Sequence, residues 1–344
     1  MNKNIVKKSI LYILISTISL IIIIPFLYLT TVSFSNTLEV NSYPKRLIPR
    51  FRETLVVEYN LDEEYYSISR KNASGSIETI YIVYDFEQTS KYLKDSLNLN
   101  VGKDKLKEDF LVAKETNEVI EVKYKKTIFN NYIKFFKVFS GSDKALFNSI
   151  KAALYTILIS ATFGGAIGYA LARTKIKGKE AISMATLIVR MFPIVSISVP
   201  MAVLLIKYGM FDTMLGLAII YSIPNIGLTA WITRSIFLSV NKELEEASLV
   251  FGANKRQTFI KITTPLVLPA FAASSMYAFI TAWNDTAVAL LLTDRNQTLA
   301  LVIHKSMAGS SSSMHYAASG AILLILPALV FTFLLKDYIN KLWG

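Results

Sequence analysis

From Ile10 to Val32 the chain carries no charged side chain. As a helix rising about 1.5 Å per residue, this run is roughly 34 Å long, enough to cross a bilayer. Backbone groups in hydrocarbon must bond to one another, which leaves few spanning forms besides helices. Five further apolar runs follow, at about 145–171, 182–206, 213–237, 266–293 and 316–335. Six such runs predict an all-α polytopic membrane protein. Hydrophobic residues make up 53% of the 344, more than an ordinary soluble domain carries.

Lys3, Lys7 and Lys8 precede the first run, and Pro25 lies within it, where a kink is expected. The run is too long for a signal-peptide core. Its exit, Thr31-Val32-Ser33-Phe34, offers no small-x-small cleavage site. An uncleaved first span with a cytoplasmic N-terminus is therefore expected. The Lys/Arg counts in the short inner segments are 3, 4, 5 and 2, against Lys207 alone in one outer turn and Arg295 with Lys305 in the other. That asymmetry predicts both termini in the cytoplasm.

The net charge of +12 invites a nucleic-acid reading, but its distribution argues for membrane orientation instead. Residues 33–143 hold 17 basic and 17 acidic side chains, so the excess lies beside the apolar runs. No basic–aromatic surface for nucleic acid is apparent. The absence of cysteine excludes disulfides and thiolate chemistry. His304 and His315 are too few and too badly spaced for a zinc site and read as packing or interfacial residues.

The expected organisation has four parts. Residues 1–32 form a tail and the first span. Residues 33–143 form an extracytoplasmic loop. Residues 144–337 form the membrane core, and 338–344 a cytoplasmic tail. The loop begins with the proline-bounded stretch YPKRLIPRF and holds a small α/β module at about 51–128. Thr54–Tyr59, Tyr65–Arg70, Ile77–Tyr84 and Val119–Ile128 read as strands, and Lys71-Asn72-Ala73-Ser74-Gly75 as a hairpin turn. Phe86–Leu97 has helical spacing. The aromatic stretch Phe129–Phe139 is amphipathic, as an interfacial helix would be.

Within the core, Gly164-x3-Gly168 is a small-residue face suited to close helix contact. Arg173, Lys175, Lys177 and Lys179 mark a cytoplasmic end. Arg190 lies within the third run, either as an anchor on a partner helix or on a water-filled path. Asn284 and Asp285 lie in the fifth run and are candidate translocation-path residues, with pairing to a partner as the alternative.

The longest polar break in the core is ELEEASLVFGANKRQTFIKITTPLVLP, from Glu243 to Pro269. Asn241 is a good N-cap, and Glu243, Glu245 and Glu246 suit the first turns of a helix. Leu244, Ala247 and Phe251 form a short apolar stripe. Gly252 is a natural residue to end that helix, and Asn254 with Gln257 predicts a capping box that starts a second. Lys255 and Arg256 sit against that helix's dipole, as if meant for an acidic partner surface. The pattern predicts two short helices hinged at Gly252.

Glu246-Ala247-Ser248-x3-Gly252-x9-Ile262-x2-Pro265 resembles the EAA loop of binding-protein-dependent ABC importer permeases. Ser248 stands where the family has alanine, and Thr264 where it has leucine. Phe147-Asn148-Ser149-Ile150-Lys151, Tyr169-Ala170-x-Ala172-Arg173, Arg190-Met191-x-Pro193 and Trp283-Asn284 agree in order. Together they resemble the carbohydrate branch, most closely the MalG-like subunit of maltose/maltodextrin importers. The resemblance covers about 1–50 and 129–344, with nothing matching the module.

The resemblance implies the type I ABC importer permease fold of six spans, with the α/β module inserted between the first two. It implies three partners: a MalF-like second permease, an ABC ATPase dimer and an extracytoplasmic sugar-binding protein. Glu243, Glu246, Ala247, Ser248, Phe251, Gly252, Lys255 and Arg256, in the loop at about 241–265, would couple to the ATPase. Asp294, Arg295, Asn296 and Gln297 would enter the opened binding protein and help displace sugar, although an ordinary polar turn reads equally well there. No G-x4-G-K-[ST] phosphate loop is present, so ATP hydrolysis is expected of the partner. No metal or cofactor is expected. A stand-alone secondary transporter and a membrane sensor using the outer module are the alternatives.

Overall fold

The computed structural model describes residues 3–340 apart from 42–47, 49, 62, 72–76, 117 and 309–313. The hairpin turn after Lys71 and most of YPKRLIPRF therefore lie outside the described residues. The chain divides into two compact units. The first comprises 1–138 with 306–322, the second 139–305 with 323–344.

In the first unit, α1 (Lys3–Ser33) runs unbroken through Pro25. Among the described residues its side chains from Ile10 to Leu27 are exposed, as befits a helix facing lipid or another subunit. A short α2 (Thr37–Asn41) follows. Then β1 (Arg52–Asn60), β2 (Tyr65–Lys71), β3 (Ile77–Val83) and β4 (Ile120–Lys125) form an antiparallel sheet in the order β3-β2-β1-β4. Their β-branched and tyrosine content favours a pleated, half-buried surface. Val57 lies opposite Ile68 on one side and Ile120 on the other.

The apolar face of the sheet, with Leu55, Val57 and Ile68, packs on α3 (Phe86–Ser96) and α4 (Lys103–Thr116) through Leu93, Leu106 and Phe110. Asp85 caps α3 by accepting from the amides of Glu87 and Gln88. α4 is not expected from the sequence. Its lysines and glutamates mask the spacing of its buried Leu106, Phe110 and Ala113.

Two polar devices fix the module within its unit. Glu53 and Lys126 have almost no side-chain exposure. Lys126 pairs with Glu39 of α2, and Arg70 Nε lies 2.8 Å from Glu53 Oε1 in an off-line ion pair. Burial is the largest influence on the Lys126 amine and pulls its pKa down, against the opposing pull of Glu39. The second device is an asparagine cluster at α5 (Asn130–Val138). Asn131 Nδ2 donates to the carbonyls of Ser33 and Ser35 at 2.8 and 2.7 Å, so the C-terminal end of α1 is satisfied by a side chain. Asn98 joins Asn131 and Asn130 at 2.9 and 2.8 Å.

The second unit is built around α10. α6 (Ser142–Ile159) and α7 (Gly165–Arg173) are one span with a π turn at Ser160–Gly164. α8 (Lys179–Met191) and α9 (Ile194–Lys207) meet at 89°. The third apolar run is thus not one straight span. Pro193 cannot continue a helix and pushes Phe192 into an extended conformation, so the run breaks there. α10 (Met214–Ser239) is the most enclosed span. Gly164 and Gly168 press against it. A Cβ on Gly164 would sit 2.6 Å from Thr229 Cβ, and one on Gly168 2.8 Å from the Ala230 carbonyl. That is the close approach the Gly-x3-Gly spacing predicts.

α11 (Lys242–Val250) and α12 (Lys255–Thr258) follow. A π turn at Phe259–Thr263 runs straight into α13 (Thr264–Asn284). The second arm of the polar break is therefore no short helix. It is the start of a 30-residue span, Lys255–Asn284. α14 (Ala287–Leu292) is separate, because Asp285 leaves the helix in an extended conformation. The fifth run accordingly ends earlier than its apolar residues suggest.

α15 (Leu299–Ala308) lies within Asp294–His315, a stretch whose serines make it read in the sequence as an outer loop. Leu299, Leu301 and Ile303 on it are buried. α16 (Met314–Asn340) closes the chain. Trp283 is fully buried and donates to the Leu324 carbonyl of α16 at 2.9 Å, while Phe279 stacks between Trp283 and Phe331. Among the described residues five helices are long and apolar enough to span a membrane, or six with the bent pair counted as one.

Candidate functional site

The polar break folds as its caps dictate. Asn241 accepts from the Glu243 amide at 3.0 Å and starts α11. At the other end the Gly252 amide reaches Leu249 O at 3.1 Å and the Ala253 amide reaches Ser248 O at 3.0 Å. That paired closure is a Schellman motif, which needs a left-handed residue. Gly252 supplies it, with φ +89°. Asn254 and Gln257 then exchange side-chain and backbone bonds, both 2.9 Å, in a full capping box.

α11 shows a strongly apolar tip to solvent. Val250 and Phe251 are 86% and 89% exposed, Leu249 is exposed beside them, and Leu244 is exposed near the other end. Glu243, Glu246, Ala247, Gly252, Lys255 and Arg256 are exposed as well. Glu246 accepts from Lys242 at 2.8 Å and thereby raises the lysine's pKa. Ser248 is different. It donates to Glu245 O and shares a 2.7 Å hydrogen bond with Thr258, so it staples α11 to α12. Glu245 is buried and bound to Arg173. Its sequence partner lies 72 positions away, beyond any local signal.

A second cluster surrounds residues 294–297. The Asp212 carboxylate accepts from the backbone amides of Asp294, Arg295 and Asn296 at 2.9, 3.2 and 3.0 Å. Asn296 Nδ2 donates to Asp212 O at 2.8 Å, and Gln297 Nε2 donates to Asp294 O at 2.9 Å. Two of the four side chains thus hold the loop, while those of Asp294 and Arg295 face solvent. Asp212 itself carries no signal in the sequence beyond a polar turn.

Asn284 is exposed. Asp285 is not. Its carboxylate accepts from Tyr221 Oη at 2.8 Å and from the Val288 and Ala289 amides, which caps α14. Arg190 stands over the Tyr277 ring at 5.3 Å, an anchor on a neighbouring helix. Among the described residues no group of three or more His, Asp or Glu could hold a metal.

A family model described as binding-protein-dependent transport system inner membrane component matches residues 164–343. The chain belongs to this family. It is a multi-pass permease subunit of an ABC importer, a transport protein rather than an enzyme. The permease is 33% identical over 214 residues to the trehalose transport system permease protein SugB of Mycobacterium tuberculosis, covering 60% of this chain and 77% of the relative. It is 34% identical over 189 residues to the maltose/maltodextrin transport system permease protein MalG of Vibrio vulnificus, covering 53% and 64%. A solved bacterial ABC transporter that imports the acidic polysaccharide alginate shares the fold over 98% of both chains, at TM-score 0.59 and 18% identity.

Proposed function

We propose that the permease forms half of the translocation path of a sugar importer and receives the energy of ATP hydrolysis through α11. The observation that carries this is the exposed apolar tip of α11, Leu249, Val250 and Phe251, with Leu244 exposed near its other end, on a helix capped at both ends. Exposed apolar groups on a rigid polar-rimmed element mark a protein contact. The partner is an ABC ATPase dimer, and a second, MalF-like permease completes the path. Both termini and α11 lie in the cytoplasm, by the distribution of Lys and Arg.

The sugar class follows from relatives that carry trehalose and maltose or maltodextrin, by their names. An extracytoplasmic binding protein delivers it. Asp294 and Arg295 are the side chains of the 294–297 loop that reach that partner, since Asn296 and Gln297 are engaged in the loop. Asn284 faces the path, while Asp285 supports it by capping α14. The outer module at about 51–128 is an accessory of the first span.

The test is a sugar panel on the complex reconstituted with its binding protein. Trehalose, maltose or a maltodextrin raises ATP hydrolysis several-fold above the sugar-free rate. Stimulation by amino acids and by no sugar would overturn the substrate class.

A further inference from the structure

One guanidinium ties α11 to the two spans beside it. Arg173 is the last residue of α7. Its Nε and Nη2 reach Glu245 Oε1 at 2.9 and 2.8 Å, and Nη2 also donates to the Val240 carbonyl at 3.1 Å. Glu245 lies on α11, and Val240 is the C-cap of α10. Arg173 thus joins three elements with one planar fork, which suits guanidinium chemistry and not an ammonium.

Two features set this pair apart from a surface ion pair. Glu245 is the buried residue of α11, whereas Glu243 and Glu246 on the same helix are exposed. Both partners keep only about a tenth of their side-chain exposure (10% and 11%), so each has lost solvation that a surface pair keeps. One turn before Arg173, Tyr169 of α7 meets Phe237 of α10 edge-on at 5.2 Å and Phe259, just after α12, at 4.9 Å. An apolar joint therefore backs the polar one.

The link between α10 and α11 is Val240 and Asn241, both extended. Two residues free to rotate would absorb a push on α11. We propose that Arg173 and Glu245 are positioning residues that lock α11, the end of α10 and α7 into one body, so that a displacement of α11 reaches two spans together. The proposal rests on the reading of α11 as the ATPase-docking helix.

The chain has no cysteine, so two introduced cysteines take spin labels without background. Lys242→Cys on α11 and Lys175→Cys just past α7 are both exposed positions. They are measured in the full complex in nanodiscs with cysteine-free partners, first without nucleotide and then trapped with Mg-ATP and vanadate. The otherwise wild-type pair gives one narrow distance in both states. Glu245→Ala keeps the ATPase and the nucleotide-free distance but shifts and broadens the distance on trapping. Glu245→Gln, which keeps an acceptor for Arg173, recovers most of the narrow distance.

An unmoved distance in trapped Glu245→Ala overturns the proposal, and so does failure of Glu245→Gln to recover it. Broadening already present without nucleotide overturns it too, because Glu245 then only holds the fold. Loss of the ATPase from Glu245→Ala alone would make Glu245 a docking residue and would likewise overturn it. Full recovery of the ATPase with Phe251→Asp, measured beside these variants, would instead sink the docking role of α11.

Discussion

Gly252 and Ser248 show how single residues shape the proposed coupling element. Gly252 has open space where a Cβ would go, so substitution is opposed by its left-handed backbone alone. Gly252→Ala is expected to cost about 1–2 kcal/mol locally, read as faster hydrogen exchange at the C-terminal amides of α11 with the rest of the core unchanged. Gly252→Pro also removes the amide that closes on Leu249 and is expected to abolish ATPase docking while leaving membrane insertion intact. Ser248→Ala restores the family's residue but removes the bond to Thr258. The expected loss is about 0.5–1.5 kcal/mol, visible as exchange in both α11 and α12. Equal exchange in the variant and the parent would remove the staple.

Among the elements, the 294–297 loop depends on Asp212 more than on its own residues. Asp212→Ala leaves three backbone amides without their charged acceptor, so Asp294, Arg295 and Asn296 are expected to lose exchange protection together. Protection retained at all three would show that the loop is held elsewhere, for instance by Asn148, which donates to Gln297 O.

Elements also show what the sequence makes legible. Strand composition and caps write α3, the sheet and both ends of α11 into local sequence. Pro193 marks the break of the third run in the same way, yet apolar continuity across it hides the bend. α15 is concealed by its serine-rich surroundings, and α4 by its charged face. The Arg173–Glu245 and Asp212–Asn296 pairings join residues far apart in the chain, and no period or cap encodes them. The departure at Ser248 reads as a mild loss of pattern until Thr258 is seen beside it.

For the molecule as a unit, the outer module is an insertion whose ends meet. Arg52 and Lys125 are paired across β1 and β4. Excising 53–124 and joining these ends is expected to spare membrane insertion and recovery of the second permease. It also removes Asn98, so Asn130 and Asn131 lose a partner and α5 should become more sensitive to protease. Loss of the second permease on excision would make the module part of the assembly rather than an accessory.

Coupling stands or falls on whether energy enters through α11, and the exposed tip of that helix is where to probe it. Phe251→Asp places a charge where a partner must bury an apolar ring, without disturbing any bond within the chain except through the cap itself. The quantity to measure is the ATPase recovered with the purified permease pair, relative to the parent. Entry through α11 predicts that most of the ATPase is lost while the second permease stays bound. Full recovery of the ATPase with Phe251→Asp would contradict it.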